Sequence, residues 1–408
     1  MLEGNPYLEE KNGVLSMLDG TLFLRQRQTG QEQFEYLTGI KSIDSNVISN
    51  FNDNLNDNIE YCSLRSIPYF HIIFPIKAYA YRAEFDAIGV KLNSLYTDAF
   101  LSDSVYYPVD VTPEYYRKND THCSFYGNFK ILSVVLRGLG VDIGGFNFRT
   151  KVVKSKGDLS IMCGQDPIDL EVFTDFNIPA HVNRFSTKEG LKGNSGDVHF
   201  CINLLAPIKK RVLLFGDSFF VYCLEWLSNL FEEVIYIRSP FVIHDVADVL
   251  SPDIILTGNA ERYLVNTKSR KETPPYFLHY IEGFNNEKML ERDVKAISAL
   301  FSGRYSERYK NWVTAHAREE LVALSSLLID NINSIKVECF TEIREEILLK
   351  CALSSSSFVD RLRSLALFYE EKDILVSLKL MSIAHEARPS GPFIAKKLSE
   401  YKEKCNKV

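Results

Sequence analysis

Residues 211–257 of this 408-residue chain constrain its fold more than any other stretch, because three apolar runs alternate there with two segments of helical spacing. The runs are RVLLF at 211–215, EVIYIR at 233–238 and DIILT at 253–257, and each is β-branched or aromatic and bounded by turn residues. Between them, Phe219 to Phe231 and Ile243 to Leu250 carry apolar residues at helical intervals. Such alternation predicts a parallel, doubly wound α/β sheet whose strand ends share one edge. Ligands of open α/β sheets bind outside the carboxyl ends of the strands. The endings here are Gly216-Asp217-Ser218, Arg238-Ser239 and Gly258-Asn259, so three polar groups converge on one crevice. YFHIIF at 69–74 reads as a further buried strand, and Ser124 to Gly138 as a helix with Ser124 as its N-cap. Residues 140–210 are expected only as insertions and loops around the sheet.

A chain of this length has room for two domains, since single cores rarely grow beyond ~250 to 300 residues. From about residue 286 the strand signals cease and helical patterns take over, through Met289 to Phe301, Arg308 to Leu328, Ile343 to Leu353 and Phe358 to Tyr369. Asp373 to Tyr401 reads as a helix ending at Arg388-Pro389 and another beginning near Pro392, which resembles the second half of a tetratricopeptide-type unit. The expected division is therefore a catalytic domain over 1–285 and an all-helical, repeat-like domain over 286–408. Docking to itself or to a partner is the expected use of the latter.

Composition narrows the setting. A formal net charge of -6 is opposite to the basic face of a general nucleic-acid binder. The start MLEGNPYLEEKNG has no apolar h-region, and runs such as VLLF and IIFPI are far shorter than the ~20 residues that span a bilayer, so a cytoplasmic location is expected. Eight cysteines without a CxxC pair fit reduced thiols better than a disulfide framework or a zinc site, and no metal is expected.

Gly216-Asp217-Ser218 places a hydroxyl at a strand's carboxyl end with a helix starting after it, where unpaired N–H groups favour negative charge. A serine there becomes a nucleophile when a histidine takes its proton and a carboxylate holds that histidine's tautomer. His122 suits that task because Asp120 stands two residues before it, and positions i and i+2 of an extended segment project to one side. Asp217 reads as a helix cap. Asn259, Gly216, Arg238 and Tyr222 are candidate oxyanion or substrate contacts in the same crevice. His71 and His199, lying in apolar runs, read as core or edge residues, and His244 begins the second crossover helix.

GDSF after an apolar strand, with Asp-Thr-His earlier in the chain and Gly127 four residues beyond His122's neighbour Cys123, resembles the alginate O-acetyltransferase branch of the SGNH-hydrolase-like proteins. Ordinary SGNH esterases carry the Asp-x-His after the serine. Val14 to Leu24, Phe74-Pro75-Ile76-Lys77, Gly157-Asp158-Leu159 and Glu261-Arg262-Tyr263-Leu264 resemble other segments of that branch, and the likeness covers roughly residues 10 to 270. It implies an SGNH-like fold, Ser218 as nucleophile, His122 as general base and then acid, and Asp120 as its orienting group. It also implies a polysaccharide O-acetyltransferase. In a cytoplasmic setting the donor is expected to be acetyl-CoA, with no bound cofactor, and the acceptor a capsular or O-antigen glycan. The helical domain would then serve polysaccharide-assembly partners or self-association. Two alternatives remain at this stage: a carbohydrate esterase of the same fold, and a non-catalytic glycan-binding or scaffold protein.

Overall fold

A computed structural model describes residues 4–26, 32–143, 150–166, 168–173, 183–188, 197–204, 206–272, 289–316, 355–371 and 373–406. The chain divides into two compact units, one drawn from Met1–Asp175, Arg184–Ile202 and Ile208–Arg304, the other from Phe176–Asn183, Asn203–Pro207 and Tyr305–Val408.

The first unit opens with a small antiparallel sheet of β1 (Leu8–Lys11), β2 (Val14–Met17) and β3 (Leu22–Leu24). Its centre is a seven-stranded sheet built from β4 (Tyr69–Phe74), β5 (Val105–Tyr106), β8 (Asn183–Ser186), β9 (Val198–Ile202), β10 (Ile208–Gly216), β11 (Phe231–Ile237) and β12 (Ile254–Ala260). Their order is β5-β4-β12-β10-β11-β9-β8. The remaining strands, β6 (Thr150–Ser155) and β7 (Ile168–Phe173), form a separate antiparallel pair.

β10 is parallel to both neighbours, β11 and β12, and β4 and β5 extend the parallel array. The mixed α/β class expected from residues 211–257 is therefore present. One expectation is corrected: residues 140–210 do not merely surround the sheet, because β9 runs antiparallel along β11 and β8 follows it at the edge. β9 is only five residues long and buried throughout, so it has none of the in-out alternation that marks a half-exposed strand.

β10 leads to β11 on one side while β4, beyond β12, leads to β5 on the other, so the strand order reverses about β12 and opens a crevice at the carboxyl ends there. The residues from Arg211 to Gly216 are all buried. One face is covered by the helix Ser45–Leu64, whose Phe51, Asn54, Leu55, Asn58, Tyr61 and Cys62 recur at helical spacing and are buried. The single helix expected after Ser218 is instead two short ones, Ser218–Val221 and Leu224–Leu230, and Phe231 already begins β11.

In the second unit, the helices Ser355–Tyr369, Ile374–Ala387 and Pro392–Cys405 pack around Leu362, Leu365, Leu380, Met381, Ala384 and Tyr401. Asp373 caps the second of these by accepting from the N–H groups of Leu375 and Val376, and Pro392 opens the third. Residues 307–316 are helical, whereas the rest of the segment expected to 328 and the one expected over 343–353 lie outside the described residues. Helix Glu291–Leu300, beyond the expected boundary at 285, belongs to the first unit. No helix among the described residues is long and apolar enough to cross a membrane.

Candidate active site

Ser218 stands one residue beyond the end of β10, after Asp217, as the first residue of a four-residue helix. Asp217 caps that turn: its Oδ1 accepts from the Phe219 N–H at 2.9 Å and its Oδ2 from the Ala260 N–H at 2.7 Å, so it also pins the turn to the end of β12. Tyr236 on β11 steadies it from the other side, donating its hydroxyl toward the carbonyls of Gly216 and Asp217. Gly216 is required by close approach, because a Cβ there would sit 2.2 Å from the Gly258 carbonyl oxygen and 2.7 Å from the Phe220 ring. As the first residue of the helix, Ser218 has an N–H with no intrahelical acceptor, which makes it an available donor. With one turn of helix behind it, the dipole contributes little, and directed N–H groups carry the electrostatics.

Asp120 and His122 come from a tight loop closed by the Tyr116–Cys123 bridge and by the Ser124 N–H donating to Tyr115 O at 2.7 Å. Ser124 caps the following helix through the Gly127 N–H, as its position in the sequence predicts. His122 Nε2 is 2.8 Å from Ser218 Oγ, and His122 Nδ1 is 2.7 Å from Asp120 Oδ1. Asp120 Oδ1 also accepts the His122 backbone N–H at 2.9 Å, and its Oδ2 accepts the Asp158 N–H at 3.3 Å. A carboxylate facing Nδ1 keeps the proton there, so Nε2 is left to accept from the Ser218 hydroxyl. Burial works to raise the Asp120 carboxyl, yet the side-chain and backbone bonds from His122 and the nearby Arg117 outweigh it and hold the group below the ordinary carboxylate range. Asp120 and His122 are buried, while Ser218 is partly exposed.

Three further groups hold this arrangement, each from a segment that the resemblance marks without giving it a role. Lys77 is buried, and its Nζ donates to the carbonyls of Arg117 at 2.6 Å, Lys118 at 2.8 Å and Asp120 at 3.2 Å, tying down the loop. Burial pushes its ammonium down to about 7 against the pull of Asp120, Asp158 and Asp19. Asp158 accepts from the Thr121 N–H at 2.8 Å and the Thr121 hydroxyl at 2.6 Å, with its Oδ2 3.8 Å from His122 Nδ1. Gly157 lets that segment reach the loop, since a Cβ would lie 2.1 Å from Asn119 O. Buried Glu261 accepts from the N–H groups of Ile76, Leu95 and Tyr96 and the hydroxyls of Ser94 and Tyr107, fixing the stretch that carries Lys77. Desolvation raises its pKa against those bonds.

Tyr222 lies against His122 with ring centroids 4.3 Å apart, and the Arg117 guanidinium sits 4.8 Å above the Tyr222 ring. Burial raises the phenol's pKa, with Asp120 adding to it and Arg117 opposing. Gly216, Arg238 and Asn259 line a cavity of 620 Å³, together with Asp217, His71 and Tyr263. Asn259 bonds His71 through Oδ1 at 2.9 Å and Ala260 O through Nδ2 at 2.9 Å. His199 pairs with Asp197 at 2.8 Å, and His244 stacks on Tyr61 with centroids 4.1 Å apart.

Asp120, His122 and Asp158 are the described residues whose ligand atoms converge, all within 4.8 Å. Their lone pairs are turned to the His122 and Thr121 N–H and O–H groups, an arrangement suited to holding a proton rather than to an open coordination sphere.

No protein-family model matches the chain, and no curated protein does. Among solved structures it is similar to a DHHW family protein from Eubacterium siraeum, at 11% identity and a TM-score of 0.45, over 64% of this chain and 94% of that one. It is also similar to Bacillus cereus PatB1, at 12% identity and a TM-score of 0.40, over 64% of this chain and 99% of that one. The O-acetyltransferase domain of Pseudomonas putida AlgJ is similar at 13% identity and a TM-score of 0.36, over 66% of this chain and 99% of that one.

Proposed function

We propose that this chain is a polysaccharide O-acetyltransferase that works through an acyl-Ser218 intermediate. The single observation carrying the proposal is the unbroken line Asp120 Oδ1, His122 Nδ1, His122 Nε2, Ser218 Oγ, with links of 2.7 and 2.8 Å. Ser218 Oγ attacks the thioester carbonyl of acetyl-CoA as its proton passes to His122 Nε2. The tetrahedral oxyanion is held by the Ser218 N–H and by Asn259, and each such donor is typically worth ~2.7 to 4 kcal/mol in the transition state. The C–S bond then breaks, and His122 returns the proton to the leaving thiolate. A sugar hydroxyl attacks the acyl-serine, gives its proton to His122, and expels Ser218 Oγ, which takes that proton back. Arg238 and Tyr222 are substrate contacts beside this path. The acceptor is a capsular or O-antigen glycan assembled in the cytoplasm, and the helical unit docks assembly partners or a second copy.

The sequence resemblance supports the acyl group and the acceptor class; the geometry supports the acyl-serine chemistry. Incubation of the purified protein with acetyl-CoA and candidate glycans, followed by thiol release and mass spectrometry of the sugar, tests both. Acetylated sugar that disappears in Ser218→Ala is expected. Acetate release from an acetylated glycan with no transfer would instead make the protein an esterase, and turnover that survives Ser218→Ala would overturn the mechanism.

A further inference from the structure

A second buried polar line runs from the helix Ser45–Leu64 across β4 and β12 and ends on Asn259. It starts at Asn58 on the helix Ser45–Leu64, whose Nδ2 donates to Tyr69 OH at 3.2 Å. Tyr69 OH lies 2.7 Å from Thr257 Oγ1, which lies 2.7 Å from His71 Nδ1. His71 Nε2 is 2.9 Å from Asn259 Oδ1, and Asn259 Nδ2 donates to Ala260 O.

The two ends fix the direction of every link. Arg270 can only donate, and its Nη2 reaches Asn58 Oδ1 at 2.9 Å, so Asn58 must turn its NH₂ group toward Tyr69. Tyr69 then donates to Thr257, and Thr257 donates to His71 Nδ1. At the far end a carbonyl can only accept, so Asn259 turns its NH₂ group toward Ala260 and its Oδ1 toward His71. His71 Nε2 is therefore the protonated nitrogen, and every partner in the chain has one donor and one acceptor facing each other. Burial lowers the His71 pKa to about 4, in keeping with a neutral ring.

We propose that His71 is a positioning residue for Asn259, its Nε2–H holding the amide carbonyl so that the NH₂ group stays committed to the carboxyl end of β12. One Nδ2 hydrogen serves Ala260 O, and the second is kept for the oxyanion beside Ser218. The flanks of Asn259 are held as well: the Ala260 N–H bonds Asp217 Oδ2 at 2.7 Å, and the Asp217 N–H faces Gly258 O at 3.4 Å. Without His71 the amide is free to rotate and present its carbonyl to the oxyanion. The role rests on the acyl-Ser218 mechanism, and the structural part of it is testable without turnover.

The test is a cycle of His71→Leu, His71→Gln, Asn259→Ala and the His71→Leu, Asn259→Ala double variant. Gln places an amide nitrogen near the Nε2 position and restores the donor. Removing an oxyanion donor typically lowers kcat about 100- to 1,000-fold. His71→Leu is expected to lower kcat about tenfold or more at unchanged KM, His71→Gln to recover most of it, and the double variant to be no slower than Asn259→Ala alone. Independent, multiplying losses would overturn the proposal. Nitrogen-15 NMR of the unliganded protein reads the same link directly: His71 protonated at Nε2, and an Asn259 side-chain amide signal that moves in His71→Leu and is kept in His71→Gln. A ring protonated at Nδ1, or an Asn259 signal indifferent to both substitutions, would sink it even if no acyl donor is turned over. Turnover that survives Ser218→Ala beside a retained His71–Asn259 signature would overturn the mechanism alone, whereas turnover lost in Ser218→Ala without that signature would overturn this inference alone.

Discussion

Asp120→Asn separates what the carboxylate does by geometry from what it does by charge. In the wild type, Oδ1 accepts two N–H groups of His122 at 2.7 and 2.9 Å, while Oδ2 accepts only the Asp158 N–H at 3.3 Å. An asparagine here has two orientations. Keeping its oxygen at the Oδ1 position preserves both short bonds and sets NH₂ against the distant Asp158 N–H. The flipped orientation sets NH₂ against the His122 backbone N–H at 2.9 Å, closer than the 3.3 Å to the Asp158 N–H. The first is favoured, so His122 keeps its proton on Nδ1 and stays a base toward Ser218. What disappears is the charge that stabilises the imidazolium as it forms. Unit charges ~4 Å apart at an effective dielectric of ~20 interact by about 4 kcal/mol, or roughly a thousandfold in rate. The neutral amide keeps its hydrogen bonds, and Asp158, 3.8 Å from Nδ1, remains as a second anion. The expected loss in kcat/KM is therefore about 100- to 1,000-fold, measured by single-turnover acylation of Ser218, with the Nδ1–H signal still present by NMR. A drop of about 10,000-fold, the size seen when a triad histidine adopts the wrong tautomer, would refute the geometric argument, and a drop under tenfold would refute the electrostatic one.

Lys77→Met should lower stability by about 2 to 4 kcal/mol and slow acylation, because it removes the donor from the Arg117, Lys118 and Asp120 carbonyls; urea unfolding and burst kinetics check both. Gly216→Ala should cost several kcal/mol through the clash with Gly258 O, seen as a lower Tm, whereas glycine-to-alanine changes at exposed ordinary positions are mild. His71 gives a pH dependence of definite sign. Its folded pKa, lowered to about 4, lies below the ordinary 6.5, so its contribution is fully present above pH 6.5 and is lost as pH falls from there toward 4. The loss is on the order of 3 kcal/mol. Urea midpoints of wild type and His71→Gln, compared at pH 7 and pH 4.5, should converge at the lower pH; equal slopes in the two proteins would show that His71 is not the group responsible.

The parts of this molecule that were legible in the sequence are those whose partners are near in the chain or whose pattern is repeated. β10, β11 and β12 announce themselves because each is a strand buried on both faces, and the spacing of their connections admits little but parallel pairing. Asp120 and His122 share one short extended loop, and Ser218 follows the end of a strand, so local chemistry suggested all three, and their meeting across 96 residues is what the fold adds. β9 stayed hidden because five residues without alternation look like any apolar loop. The break between Val221 and Leu224 stayed hidden because the apolar spacing of Phe219 to Phe231 continues through it.

The supporting residues were illegible for a different reason. Lys77, Asp158 and His71 each look ordinary among their neighbours, and their roles are set by groups at sequence separations of 40, 37 and 186 to 188. An imidazole in an apolar strand reads as core until its two nitrogens are matched to an acceptor and a donor on an adjacent strand. β4 and β12 pair in parallel with His71 opposite Thr257 and Ile73 opposite Asn259, which puts the ring of His71 between two side chains on one face of β12. That register is a property of the sheet, and it sets a buried histidine against the Asn259 carbonyl oxygen. The two polar lines then have a common logic: Asp120 faces Nδ1 of the His122 that reaches Ser218, and His71 faces the amide of Asn259. In the proposed mechanism the first sets where the proton goes and the second where the negative charge rests, so substitutions in the first should change the pH dependence of acylation, and substitutions in the second its rate at every pH.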